Sequence, residues 1–130
     1  MEDTRVTFET AKLAKEKGFN TLCYDAFNSK GNLYSNGWCE YLYDNKVEIP
    51  FRSGVLESQD ILAPTQSLLA KWLREEYNII VLVDYEGIDG YYYKFYSYKE
   101  GNKNYDASDK NYNTYEEAYE IGLQEALKLI

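Results

Sequence analysis

The chain has 130 residues, 45% of them hydrophobic, and a formal charge of −8 from 22 acidic and 14 basic side chains, with no histidine. That length suits one folding unit, residues 1–130 as a single domain, and the apolar content excludes disorder of the whole. An acidic chain without clustered Lys and Arg argues against nucleic-acid and membrane-surface binding, because phosphate contacts draw their affinity from counterion release by basic side chains.

Residues 7–17 carry the marks of a helix. Thr7 can cap the first turn, Glu9 sits where the helix dipole favours an anion, and Phe8, Ala11 and Ala14 make one narrow apolar stripe. Gly18 can adopt the left-handed conformation that ends the helix, folding Phe19 back onto Ala14. Residues 21–27 and 38–43 suit two strands separated by the Ser29-Lys30-Gly31-Asn32 turn. A second turn at 44–46 leads to a short extended stretch, 47–49, which Pro50 favours. Residues 51–62 show no clean period and read as loop; the structure of 44–62 is otherwise open.

Pro64 suits the first position of a second helix running to about Tyr77. Leu68, Leu69, Trp72 and Leu73 form its apolar stripe, with Trp72 expected to anchor it in the core. The run Ile79-Ile80-Val81-Leu82-Val83 reads as a strand buried on both faces or nearly so. Glu86-Gly87-Ile88-Asp89-Gly90 is a hairpin loop, and residues 91–98 return antiparallel. Residues 101–113 are polar and read as a loop. The last helix opens on a capping box, Thr114 and Glu117, and its apolar face includes Gly122, whose propensity cost of about 1 kcal/mol points to close packing on the sheet. The predicted fold class is α+β: a small antiparallel sheet with about three helices, in the order α-(ββ)-α-β-β-α, the helices packed mainly on one face.

Residues 1–5 lack the basic start and apolar run of a signal peptide. The longest strongly apolar run, residues 79–83, is far too short to cross a bilayer. The expected location is the cytoplasm, with no membrane association, and Cys23 and Cys39 are expected to be reduced thiols. Absence of histidine removes the histidine-based catalytic triads and most catalytic zinc sites, and no phosphate-cradling glycine motif is present. Glu75–Glu76 and Glu116–Glu117 read as solvated helix surface rather than as acid–base pairs. Asp109, Asn111, Asn113 and Glu120 match positions 1, 3, 5 and 12 of a calcium loop, but Thr114 stands where glycine is needed and is better used as a helix cap. No catalytic residue, metal ligand or cofactor is expected.

Tyrosine is the unusual feature, at 15 residues. In Tyr91-Tyr92-Tyr93-Lys94-Phe95-Tyr96-Ser97-Tyr98 the pleat puts Tyr91, Tyr93, Phe95 and Ser97 on one face and Tyr92, Lys94, Tyr96 and Tyr98 on the other. If helices cover the first face, the second is an exposed platform suited to recognition, since tyrosine joins large contact area to low entropy and a hydroxyl. Tyr92, Lys94, Tyr96 and Tyr98 are therefore the candidate protein-contact residues. The competing reading is that tyrosine simply suits half-buried strands.

Three segments resemble a known family. They are Thr7-Phe8-Glu9-Thr10-Ala11-Lys12-Leu13-Ala14-Lys15-Glu16-Lys17-Gly18-Phe19; residues 63–75, Ala-Pro-Thr-Gln-Ser-Leu-Leu-Ala-Lys-Trp-Leu-Arg-Glu; and Tyr115-Glu116-Glu117-Ala118 continuing to Leu123-Gln124-Glu125-Ala126-Leu127-Lys128. In this order, over about a third of the chain, they resemble a family of small uncharacterised proteins found in gut Bacteroidetes genomes and in their phages and prophages. The resemblance implies only a phage or mobile-element setting, where small accessory proteins that engage host or virion proteins are common; a host or phage protein is the expected partner. It implies no activity and no site residues. The expectation is a non-enzymatic accessory protein that binds another protein through the tyrosine face. The alternatives are a small-molecule binder for a nucleotide or metabolite, with a pocket between helix and sheet, and a structural virion or assembly component. Oligomeric state is open.

Overall fold

The computed structural model describes residues 4–21, 23–34, 40–41, 47–48, 61–99 and 102–130. They form an α+β chain of two compact units, Arg5–Thr65 and Gln66–Ile130, the latter with Met1–Thr4.

In the first unit, helix α1 (Phe8–Glu16) starts as its sequence dictates: the Thr7 hydroxyl accepts the N–H of Thr10, and Glu9 lies in the first turn. Ala11 and Ala14 are buried. Gly18, at φ +92°, ends the helix, and the Phe19 N–H donates to the Ala14 carbonyl at 2.9 Å, the expected fold-back. Within the strand expected over 21–27, Ala26–Phe27 form β1, which pairs antiparallel with β2 (Leu33–Tyr34) and β5 (Ile61–Leu62). The intervening turn forms because the Asn28 side-chain carbonyl accepts the N–H groups of Lys30 and Asn32, both at 2.9 Å. A separate antiparallel pair, β3 (Glu40–Tyr41) and β4 (Val47–Glu48), sets Tyr41 opposite Val47.

Ile61 and Leu62 belong to a strand, not to the loop predicted over 51–62; both are buried, and their pairing with β1 is long-range and invisible to local pattern. Cys23 is a buried thiol whose Sγ donates to the Thr21 carbonyl at 3.2 Å. Cys39, the turn at 44–46 and residues 49–60 lie outside the described residues.

The second unit begins with helix α2 (Gln66–Tyr77). Pro64 is not its first residue. The Pro64 carbonyl accepts the Val6 N–H at 3.0 Å and Thr65 bridges Arg5, which holds 64–65 extended and starts the helix at Gln66. Leu69 and Leu73 are fully buried, whereas Trp72 is half-buried and packs edge-on against Tyr77 at 5.2 Å. The leucines, not the tryptophan, anchor α2.

Strands β6 (Ile79–Tyr85), β7 (Tyr91–Lys99) and β8 (Asn102–Ala107) form an antiparallel meander with β7 in the centre. The β6–β7 hairpin closes through a 3-10 turn, Gly87–Asp89, with the Glu86 N–H donating to the Gly90 carbonyl at 2.8 Å. Residues 102–107, expected to be loop, pair with Lys94–Lys99. Their polarity hid them, and an edge strand tolerates it because much of its surface faces water: residues 103–106 are exposed.

Helix α3 (Tyr115–Leu127) is capped by Thr114, whose hydroxyl accepts the Glu117 N–H at 3.1 Å. It packs beside α2 and lies across β6 and β7, so both helices cover the same side of the sheet. Gly122 permits this approach: a Cβ there would stand 2.8 Å from the Cβ of Tyr93 and 3.1 Å from Val81 Cγ1. Gln66 ties the helices together, its Nε2 donating to the Glu120 carboxylate at 3.0 Å and to the Glu116 carbonyl at 2.9 Å. Among the described residues no helix is long and apolar enough to cross a membrane.

Candidate functional site: the outer face of the β6–β7–β8 sheet

Alternation along three paired strands sorts their side chains into two sets. Toward α2 and α3 point Ile79 and Val81 of β6 with Tyr93 and Phe95 of β7; Val81 faces Phe95 across the pair, and Ile79, Val81 and Phe95 are buried. Tyr93 and Phe95 stack in near-parallel planes at 6.2 Å. Burial, reinforced by the nearby Glu125 charge, pushes the Tyr93 hydroxyl up to about 12.

The opposite face is built in rows. Asp84 lies across from Tyr92. The next row is Leu82, Lys94 and Ala107, followed by Ile80, Tyr96 and Tyr105, and then by Tyr98 and Lys103. Neither α2 nor α3 covers these rows. Ile80 and Leu82 are each 41% exposed, Tyr98 56% and Tyr105 58%; Tyr92, Lys94 and Tyr96 are half-buried against their neighbours. The prediction that β6 is buried on both faces is therefore corrected: helices occupy one side only, so its apolar residues alternate between core and solvent. The four sequence-predicted contact residues, Tyr92, Lys94, Tyr96 and Tyr98, do share one face.

Local contacts hold the rings in place. Tyr96 and Tyr105 meet at 5.0 Å between centroids, and the Lys103 ammonium sits 4.9 Å from the Tyr96 ring centroid. Asp84 Oδ2 accepts from Lys94 Nζ at 3.2 Å and from the Tyr92 hydroxyl at 3.3 Å. The Asp84 carboxyl is held below its ordinary range, first by the Tyr85 backbone N–H and then by Lys94. Lys94 is raised by its hydrogen bond to Asp84. Partial burial raises Tyr92, with the Asp84 charge adding to it.

Sequence reasoning missed Ile80, Leu82, Lys103 and Tyr105. The signal for the first two was the reach of the β6 pairing as far as Tyr85, which makes an alternating edge strand rather than a short buried run. For Lys103 and Tyr105 the local signal was weak, since only pairing to β7 makes that segment a strand.

A groove of about 770 Å³ lies over the row Ile79–Ser97–Asn104, bordered by Tyr77 at the end of α2, by Tyr98 and by Leu129 just beyond α3. Among the described residues no group of three or more His, Cys, Asp or Glu side chains could hold a metal ion. The calcium-like spacing is otherwise engaged: Thr114 caps α3, Asn111 Nδ2 donates to Glu86 at 3.0 Å, and Glu120 accepts from Gln66. Compared with known proteins, the chain matches no family model, no curated protein and no solved structure.

Proposed function

We propose that the chain is a non-enzymatic accessory protein that holds another protein on the outer face of the β6–β7–β8 sheet. One observation carries this reading: Tyr92, Lys94, Tyr96 and Tyr98 line up with Ile80, Leu82 and Tyr105 on a face that neither helix covers. Contiguous exposed apolar surface of this kind marks interaction sites, and tyrosine supplies contact area at low entropic cost. The three-segment resemblance supports a phage or mobile-element origin in gut Bacteroidetes, with a host or phage protein as partner and the host cytoplasm as the place of action.

The test replaces Tyr92, Tyr96 and Tyr98 together by serine and compares capture of interacting proteins from host and phage lysates with the intact chain. Loss of a specific partner with little change in melting temperature is the expected result. Unchanged capture, or collapse of the fold, removes the reading.

The groove beside Tyr77 and Ser97 favours a second reading, a small-molecule binder. A ligand held there at a hundred times its dissociation constant would stabilise the fold by about 2.7 kcal/mol. A thermal-shift screen of nucleotides and metabolites, repeated on a Ser97→Trp variant that fills the groove, separates the two readings.

A further inference from the structure

We propose that the groove where α2 and α3 end beside the sheet binds a small organic cation, a primary amine on an apolar body, and rejects phosphate-bearing ligands. The inference rests on the small-molecule reading of that groove and names the chemical class it selects.

The chain builds this groove from the ends of both helices. Asn78 turns α2 directly into β6 at φ +56°, a left-handed conformation that asparagine tolerates, so the last turn of α2 stands beside the first row of the sheet. Helix α3 ends at Leu127, and Leu129 just beyond it lines the same groove. A helix C-terminus carries about half a unit of negative charge, because its last carbonyls lack intrahelical N–H partners. Two such ends stand at one opening, and Glu76, in the last turn of α2, adds a full carboxylate charge to its lining.

Among the described residues that line the groove there is no Lys or Arg. Of the bases close by in the chain, Lys103 lies over the Tyr96 ring on the outer face and Lys128 pairs with Glu125 at 3.0 Å. A phosphate here meets a carboxylate and two negative helix ends with no cation to hold it. An ammonium meets the Glu76 carboxylate, the Ser97 hydroxyl and the Asn104 side-chain carbonyl, acceptors suited to its three N–H donors. Tyr77, packed edge-on against Trp72 at 5.2 Å, and Tyr98 add aromatic rings, whose faces attract cations. Ile79 and Leu129 supply apolar surface for the rest of the molecule. The volume of about 770 Å³ falls within the roughly 300–1,000 Å³ of small-molecule sites.

The test is calorimetric titration of the full chain with probes that share a phenyl body: 2-phenylethylamine, 2-phenylethanol and 3-phenylpropionate, with AMP as the phosphate-bearing comparison. Sodium chloride at about 0.15 M screens the long-range pull of the −8 charge. The amine should bind in a single saturable step about tenfold or more tightly than the alcohol, and the two anions more weakly still. Glu76→Gln should weaken the amine about threefold or more and leave the alcohol unchanged. Glu75→Gln, at a neighbour that pairs with Lys71 rather than lining the groove, should change neither. Nitrogen-15 NMR locates the site without any substitution: the amine should move the amide signals of Ile79, Ser97 and Asn104. Equal affinity for amine and alcohol, preference for either anion, or a loss in Glu75→Gln as large as in Glu76→Gln overturns the proposal. If the alcohol or AMP moves those amides and the amine is not preferred, this inference fails and the small-molecule reading stands. If no compound moves them, both fail.

Discussion

Gly122 and Gly18 are small for different reasons. At Gly122 the limit is space, because a methyl group would stand 2.8 Å from Tyr93 Cβ. Gly122→Ala should therefore destabilise by about 1–3 kcal/mol, although alanine is the better helix former by about 1 kcal/mol. At Gly18 nothing lies within 4 Å of an added Cβ, and the limit is the backbone at φ +92°. Gly18→Ala should cost about 1–2 kcal/mol through strain alone. Urea denaturation reads both, and an unchanged or raised midpoint for Gly122→Ala would contradict the close approach of α3 to the sheet. Tyr93 supplies a pH signature. Burial pushes its hydroxyl from the ordinary value of 10.0 up to about 12, so the folded state favours the neutral form. The resulting stabilisation is complete below pH 10 and is lost as pH rises toward 12. Ultraviolet titration should find one tyrosine ionising near pH 12 that is absent from Tyr93→Phe, and that variant should lose stability less steeply above pH 10.

Elements with strong terminal chemistry start where their caps stand. Thr7 and Thr114 both accept N–H groups from the first turns of their helices, and both positions were legible because a cap is a local interaction. Thr114→Ala should lower stability by about 1 kcal/mol, measured by thermal denaturation. Strands were less legible, since pairing partners far apart in the chain decide them. Strand β8 carries polar residues that look like loop, and β5 is two residues long. Strand β6 offers the sharpest check on which face is covered. Ile79 is 3% exposed and its neighbour Ile80 is 41% exposed. Ile79→Ala should cost about 2–5 kcal/mol, whereas Ile80→Ala should cost no more than about 1 kcal/mol. Equal losses at the two positions would mean that something encloses the outer face.

At the scale of the molecule, the −8 charge acts on every copy regardless of its contacts. Self-repulsion at low ionic strength should lower the melting temperature, and bringing sodium chloride from a few millimolar to the physiological range should raise it. A falling melting temperature over that range would show that ion pairs such as Arg5–Asp25 outweigh the net repulsion. Local chemistry in the amino-acid sequence determined the presence of three helices, the Thr7 and Thr114 caps, the β6–β7 hairpin and the assignment of Tyr92, Lys94, Tyr96 and Tyr98 to one side of a strand, because each depends on neighbours within a few residues. Tertiary structure decided which side of that strand the helices cover. It also recruited Ile80, Leu82, Lys103 and Tyr105 to the same surface, because register across strands is set by backbone pairing that no single segment carries.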